Sequence, residues 1–198
     1  MGQRLVVTVR SKDEDICKIY YHWSAYSVSA LMETKKILNV ILDEESKISD
    51  LRLRLIHFCE QNGGGIDGGK DSDEWNYITR EYPDEVFKSE GISRNDGLIA
   101  ISQKGMDDTQ YWSEGDIIID LDECRVINEV SLWFISIEEY NQELEERDEA
   151  AEKLEDIPEL QCDLTNFAFE DIDYLIDALN KAPNYAVRYG NDIYELIA

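Results

Sequence analysis

Three aspartates near the middle of the chain have a spacing that suits metal-dependent hydrolysis of a phosphodiester. Asp116, Asp120 and Asp122 lie around the apolar residues 117–119 and Leu121. Side chains of a β-strand alternate between its two faces, so these carboxylates should project together with Ile118. Carboxylates two residues apart can hold Mg²⁺, which activates water for hydrolysis. A metal-dependent nuclease is therefore one hypothesis, and acids that end a strand before a turn are the structural alternative.

A glycine-rich segment at 64–70 matches G-x-x-x-x-G-K, which is most of a phosphate-binding loop. The next residue is Asp71, where Ser or Thr would hold magnesium, and the segment follows a predicted helix instead of a strand. Residues 71–74 do not indicate a helix start, and their acids would repel phosphate. A calcium site is the other hypothesis, but the acids miss the EF-hand spacing. They are Asp67, Asp71, Asp73 and Glu74. The sequence favours a solvated, flexible acidic loop.

His22 lies among aromatic residues in the segment 20–26, where a predicted strand passes into a helix. It could act as a base for Ser24 or Ser27, but no nucleophile signature accompanies it. We favour a packed aromatic corner in which Ser24 caps the helix.

The cysteines are widely spaced and form no C-x-x-C pair. They are Cys17, Cys59, Cys124 and Cys162. In a cytosolic chain this pattern predicts four reduced thiols in or near the core. Zinc held with help from His22 and His57 is the weaker alternative.

The charge of the chain is distributed unevenly. Residues 1–60 hold nine Lys/Arg and nine Asp/Glu, whereas residues 61–198 hold ten and thirty-five, so the whole formal charge of −25 lies there. Residues 138–173 alone carry fifteen acids against Arg147 and Lys153. Such a field repels nucleic acid and anionic membranes and attracts basic surfaces. We expect a basic protein partner, with neither direct nucleic-acid binding nor membrane binding.

The densest acids fall on a helix predicted over 137–154, with Ile137, Tyr140, Leu144, Ala151 and Leu154 on its inner stripe. Its net charge of −6 over about 27 Å is one charge per about 4.5 Å, comparable with a DNA strand. Like charges three or four residues apart destabilise a helix. The acidic residues of this helix must therefore serve either solubility or the binding of a basic partner, and both explanations stay open. The predicted partner-binding residues are Glu138, Glu139, Glu143, Glu145, Glu146, Asp148, Glu149, Glu152 and Glu155, which Asp107, Asp108 and Glu114 could extend.

The remaining pattern predicts a single domain over 1–198 with a near-neutral part, 1–60, that serves as scaffold or dimer surface. An N-terminal hairpin precedes helices to about Leu42 and after Ser49 or Asp50, and a turn-rich stretch to about 95 has aromatic anchors. These anchors are Trp75, Tyr77, Tyr82 and Phe87. Strands are predicted at 97–102, 116–121, 125–135 and 185–189, and a last helix at 170–180. This block order predicts an α+β fold with a mainly antiparallel sheet and about four helices. No apolar run could span a membrane and no signal peptide is evident, so we expect a cytoplasmic protein without cofactors.

The opening segment MGQRLVVT, residues 1–8, and the segment KIYYHWSAY, residues 18–26, resemble a group of uncharacterised small proteins of phages and integrated elements of Gram-positive bacteria. The resemblance covers about the first 45 residues and implies no catalytic residue. By analogy, acidic phage proteins of this size include DNA mimics and anti-CRISPR inhibitors. The expectation is an inhibitor that occupies the nucleic-acid channel of a basic protein, with a type II CRISPR effector nuclease as the favoured target.

Overall fold

The chain forms a seven-stranded sheet, a three-stranded sheet and, in the part described, six helices. This computed structural model describes residues 3–89, 96–110, 112–130, 133–147, 157–182 and 186–196. The elements are β1 Leu5–Ser11, β2 Glu14–Tyr21, α1 Ser27–Ile41, α2 Leu51–Gln61, β3 Gly65–Ile66, α3 Asp73–Glu81, β4 Asp96–Ala100, α4 Gln103–Gln110, β5 Gly115–Asp120, β6 Arg125–Asn128, β7 Trp133–Ser136, α5 Ile137–Arg147, β8 Asn166–Ala168, α6 Ile172–Asn180, β9 Ala186–Tyr189 and β10 Asp192–Glu195.

The N-terminal hairpin forms the middle of the larger sheet, whose strand order is β3-β4-β2-β1-β5-β6-β8. Two neighbouring pairs, β1/β5 and β3/β4, are parallel, and the other pairs are antiparallel. The hairpin turns at Lys12 and Asp13, whose φ angles are 54° and 61°. Positive φ at both central residues gives the twist that matches two flanking strands. The predicted α+β fold with its N-terminal hairpin is confirmed.

The main core lies between one face of this sheet and the helices α1, α2 and α6. Leu5, Val7 and Val9 of β1 are fully buried there, with residues from each of these helices. The opposite face is also shielded at its centre, because the buried Lys18 reaches Gln110 of α4 (Nζ to Oε1, 3.2 Å). The alternation of side chains in β1 therefore gives the hairpin one face that packs against α1, α2 and α6 and another that faces α4.

The smaller sheet has the strand order β7-β10-β9 and carries α5. Val187 and Tyr194 on one face join the main core. The other face has a small cluster of its own, centred on Ile193 and packed by Ile137 and Tyr140 of α5. The predicted inner stripe of α5 is confirmed for these two residues. The side chain of Leu144, and residues 148–154 of the predicted helix, lie outside what the structure describes.

Two helices occur where a turn-rich chain or no helix was predicted, so the described part holds six helices instead of about four. The helix α3 begins after Ser72, whose Oγ accepts from Trp75 N (3.0 Å), and α4 follows Ser102, whose Oγ accepts from Gly105 N (3.0 Å). Acids in the first turn of α3 also stabilise the helix, because they interact favourably with the positive, N-terminal end of its dipole. Residues 71–74 are therefore a helix start, contrary to the prediction. The aromatic anchors are confirmed: Phe87 is buried and the other three pack against the core.

Other predicted boundaries also change. The strand predicted at 125–135 is two strands in different sheets, because Asn128 turns the chain out of the first. Its amide donates to Leu164 O (3.2 Å) and accepts from Val130 N (3.2 Å). Asp50 caps α2 as predicted (Oδ1 to Leu53 N, 2.9 Å), whereas Ser24 does not cap α1, which begins after Tyr26 without a side-chain cap. A further strand, β10, pairs with the predicted closing strand β9.

The two faces of β5 give a matched test of this core. Ile119 is fully buried and Ile118 is partly exposed on the other face. Ile119→Ala should lower the free energy of unfolding by about 2–5 kcal/mol, since it leaves a cavity. Ile118→Ala should cost about 1 kcal/mol. Urea unfolding measures both values, and equal losses would show that the faces are wrongly assigned.

Candidate partner-binding surface

The acidic helix α5 starts with a reciprocal cap. Glu139 N donates to Ser136 Oγ (3.2 Å), and the Glu139 carboxylate accepts from Ser136 N (2.9 Å) and Oγ (2.9 Å). These bonds lower the pKa of Glu139 below its ordinary value. The S-x-x-E pattern is a sequence signature of a capping box, and it could have been found in advance. Glu139 thus has a structural role in addition to its charge.

The other described acids of α5 lie toward solvent. Glu138 and Glu145 are exposed and make no hydrogen bond or ion pair with any residue that the structure describes, and Glu143 is half-buried. The side chain of Glu146 and the residues Asp148, Glu149, Glu152 and Glu155 lie outside the described residues. Where it is described, the polar face of α5 is therefore acidic and contains two carboxylates without an internal partner.

Most described cations already bind groups of the chain itself. Ion pairs join Arg4–Glu114, Arg10–Asp15, Lys18–Asp15, Lys35–Asp173, Lys36–Glu33, Lys104–Asp73, Lys181–Asp177 and Arg188–Glu159. Arg52 and Arg54 donate to backbone carbonyls, and Arg125 donates to Asn166. With 44 acids against 19 Lys/Arg, the surplus carboxylates can be neutralised only by solvent ions or by a partner.

The acids proposed to extend this surface lie elsewhere. Asp107 and Asp108 belong to α4, which packs on β2 and β4, whereas α5 packs on β7 and β10. Glu114 is held by Arg4, which donates to it from Nε (3.4 Å), Nη2 (3.3 Å) and the backbone N (3.0 Å). This contact lowers the pKa of Glu114. The structure thus separates two acidic areas, one on α5 and one on α4.

The three aspartates of the nuclease hypothesis accept hydrogen bonds from different parts of the chain. Asp116 and Asp120 project from the half-exposed face of β5 as predicted, but they lie four positions apart along the strand, a distance of about 13 Å. Asp116 accepts from Ser113 Oγ (2.8 Å) and Asp120 from Asp122 N (3.0 Å). Asp122 accepts from Ser11 Oγ (3.4 Å) and Lys12 N at the turn of the first hairpin. Among the described residues, no group of three or more His, Cys, Asp or Glu is placed to bind a metal ion.

The glycine-rich segment borders a cavity of about 220 Å³ next to α4. Glu74 is buried and accepts from the backbone N of Ile101 (2.5 Å) and of Ser102 (2.9 Å). A Cβ on Gly105 would lie 2.4 Å from Glu74 Oε2, so a larger residue there would displace the Glu74 carboxylate. The structure does not support phosphate binding by this motif. Its second and third residues form strand β3 instead of a loop, and Lys70 Nζ lies over the Trp75 ring, 6.0 Å from its centroid.

The other acids of this cavity differ in their partners. Lys104 forms an ion pair with Asp73 and also interacts electrostatically with the exposed Asp108, and both acids raise the pKa of Lys104. Asp67 lies deeper, and its side chain accepts from the backbone N of Gly68 and from Thr109 Oγ1 (3.4 Å). Burial raises the pKa of Asp67 above its ordinary value, with the nearby Glu74 and Asp108 adding to the effect. The residues that line the cavity therefore include four carboxylates and one cation, Lys104.

A row of aromatic rings follows the end of β2. Tyr20 contacts Trp112 edge-on at 5.4 Å between centroids, and Tyr20 OH lies 2.7 Å from His22 Nδ1. His22 in turn contacts Trp23 edge-on at 4.8 Å. The predicted aromatic corner exists, but Trp23 and Trp112 are 49% and 43% exposed. We call these four residues the aromatic strip.

The cysteines are not all in the core. Cys17 and Cys59 are buried as predicted, Cys162 is partly buried, and Cys124 is exposed in the turn between β5 and β6. The prediction was wrong for Cys124, because that turn lies at the sheet surface, where Cys124 has a φ of 50°.

Comparison of the chain with protein-family models, with curated proteins and with solved structures finds no match. In the residues that the structure describes, no helix combines the length and the apolar character needed to cross a membrane.

The partly buried carboxyl of Asp67 predicts a pH-dependent effect of substitution. Its pKa is raised on folding, so the folded state holds the proton more tightly and stability falls as pH rises above the unfolded pKa. Asp67→Asn should therefore stabilise the protein near pH 7, and this advantage should vanish near pH 3. Urea unfolding of both proteins across this range measures it. A difference that does not change with pH would show that ionisation is not its cause.

The thiols should differ in reactivity. Burial raises the pKa of Cys17 to about 12 and of Cys162 to about 11, and raises that of Cys59 as well. At about pH 8 a thiol of pKa 12 is roughly one part in ten thousand thiolate, the form that reacts. Iodoacetamide should therefore alkylate Cys124 first, Cys162 more slowly, and Cys17 and Cys59 only after unfolding. Peptide mass spectrometry of the native protein over time checks this order.

Proposed function

We propose that this protein, from a phage or mobile element, binds and inhibits a basic nucleic-acid-binding protein by presenting an acidic surface in place of nucleic acid. The proposed compartment is the cytoplasm of a bacterial host cell, and a type II CRISPR effector nuclease is the target we favour. The observation that carries the proposal is the outward position of Glu138 and Glu145 on α5, without internal partners among the described residues.

The physical support is a charge density that the fold does not require. Each pair of like charges three or four residues apart costs a helix a few tenths of a kcal/mol, roughly 0.2–0.5. Glu139, in its cap with Ser136, recovers part of this cost. The smaller sheet also carries α5 away from the main core, so the helix can meet a partner without disturbing the sheet that stabilises the protein.

Fast association is what such a surface offers. Opposite potentials accelerate encounter and select partners, and salt screens them within about 8 Å at physiological ionic strength. A protein whose acids serve only solubility would show no high-affinity basic partner, so one measurement separates these two functions.

The first experiment is a pull-down with the tagged full chain from nuclease-treated bacterial lysate at about 150 mM and about 500 mM salt. We expect one basic nucleic-acid-binding protein that is recovered at low salt and weakened at high salt, because charge drives the contact. Purified components should then show that nucleic acid and this protein compete. Recovery of no basic protein, or simultaneous binding of both ligands, would overturn the proposal.

Charge reversal on α5 locates the contact. The double variant Glu138→Lys and Glu145→Lys should slow association with the recovered partner about tenfold without unfolding the protein, because steering follows local charge. Glu44→Lys with Glu45→Lys is the matched control, since both residues are exposed in the near-neutral part and the net charge changes equally. Stopped-flow association rates measure the effect. Equal slowing by both pairs would mean that total charge, and not α5, sets the rate.

A further inference from the structure

The aromatic strip is contiguous and accessible at both ends. Its rings touch in the order Trp112, Tyr20, His22, Trp23, with centroid distances of 5.4, 6.1 and 4.8 Å. Tyr20 is buried and ties the strip to the sheet, whereas about half of each terminal indole is open to solvent. Tryptophan is one of the residue types that most often dominate binding energy at protein interfaces.

The strip ends at the acidic cavity, because Trp112 is one of its lining residues. Two of the four carboxylates there are already satisfied: Glu74 by the amides at the start of α4, and Asp73 by Lys104. Asp67 makes no ion pair with a residue that the structure describes, and Asp108 shares the charge of Lys104 with Asp73. An indole wall beside these two carboxylates is complementary to a guanidinium or ammonium group, which can lie on the ring and donate to the acids.

We propose that the aromatic strip and this cavity form a second contact surface that binds an arginine-bearing segment of the basic partner. The inference rests on the proposed function for the identity of the partner, but it places the contact on β2 and α4, apart from α5. Arginine fits better than lysine, since its planar group both stacks on indole and donates two parallel hydrogen bonds to a carboxylate.

The size and chemistry of the cavity restrict its occupant. A volume of about 220 Å³ is below the range of pockets that enclose whole small-molecule ligands, but it admits the end of one side chain. Within the described residues no cluster of acids is arranged to hold a metal ion. Burial raises the pKa of Asp67, as expected of a carboxylate that would gain from an incoming cation.

The test uses the full chain and a hexa-arginine peptide, with a hexa-citrulline peptide as the uncharged control of the same shape. A protein with a net charge of −25 binds any polycation loosely, so the measurement must show where on the protein the peptide binds. Indole N–H signals of the ¹⁵N-labelled protein, assigned with Trp→Phe variants, provide this. At about 150 mM salt, hexa-arginine should shift the Trp112 and Trp23 signals saturably while that of Trp75 stays unchanged, and hexa-citrulline should shift none.

Neighbouring acids on α4 supply a matched pair of variants. Asp108 lines the cavity, whereas Asp107 is exposed on the same helix and accepts from Gln103 (2.8 Å) outside it. Asp108→Asn should weaken peptide binding about tenfold, since a charge-assisted bond is lost, while Asp107→Asn should weaken it less than about twofold. Trp112→Ala should weaken binding about threefold through loss of the ring face. Equal effects of the two Asn variants, or an unmoved Trp112 signal while the peptide binds elsewhere, would overturn the inference.

The same variants separate this inference from the proposed function. If the wild-type chain and Asp108→Asn recover the basic partner equally, the second surface is wrong and the proposed function stands. If the wild-type chain recovers no basic partner, the proposed function fails, whatever the peptide result. If Asp108→Asn weakens recovery of the partner and Asp107→Asn does not, the surface is supported with its natural ligand.

Discussion

The first hairpin must be buried on both faces and paired on both edges, and the rest of the structure follows from that constraint. Strand β1 joins β5 and strand β2 joins β4, so the hairpin has no free edge. Leu5, Val7 and Val9 bury one face of the hairpin beneath three helices, and the burial of such aliphatic side chains is a large favourable contribution to folding. The other face buries Lys18, which requires Asp15 and Gln110 as partners and thereby holds α4 in place.

Charged residues divide into two groups according to this architecture. Some link elements that are distant in sequence: Glu74 accepts from the backbone at the start of α4, and Glu114 forms an ion pair with Arg4. The others lie at the surface, where water screens them and each costs little. Some described cations link distant elements and others pair with acids nearby in the sequence, and the remaining carboxylates lie at the surface, as on α5. Such a surplus of surface charge is compatible with folding because the buried apolar core stabilises the protein.

The two candidate contact surfaces differ in chemistry as well as place. On α5 the described groups are carboxylates on a helix set on the smaller sheet, a geometry suited to long-range attraction. The aromatic strip instead combines large rings with a small acidic cavity, which suits short-range recognition of single side chains. Steering by one surface and anchoring by the other are complementary, since electrostatic attraction sets the association rate and desolvated anchors set the dissociation rate.

Local pattern was sufficient for much of the fold. The N-terminal hairpin, the outward face of β5 with Asp116 and Asp120, and the Asp50 cap depend only on neighbours in sequence, and they were predicted. The helices α3 and α4 were missed although Ser72 lies in the sequence as a cap, since acids and glycines around it suggested a loop. Strand order, the division of residues 125–136 between two sheets and the exposure of Trp23 depend on which distant segments meet. Asp122 illustrates the difference: its spacing suggested a metal ligand, but its carboxylate binds the turn at Ser11 and Lys12, more than a hundred residues earlier. Sequence alone determined the charge and those elements whose signals are local, because both depend only on residues that are neighbours along the chain. Only the tertiary structure decided which carboxylates have a partner, because a partner depends on proximity in space.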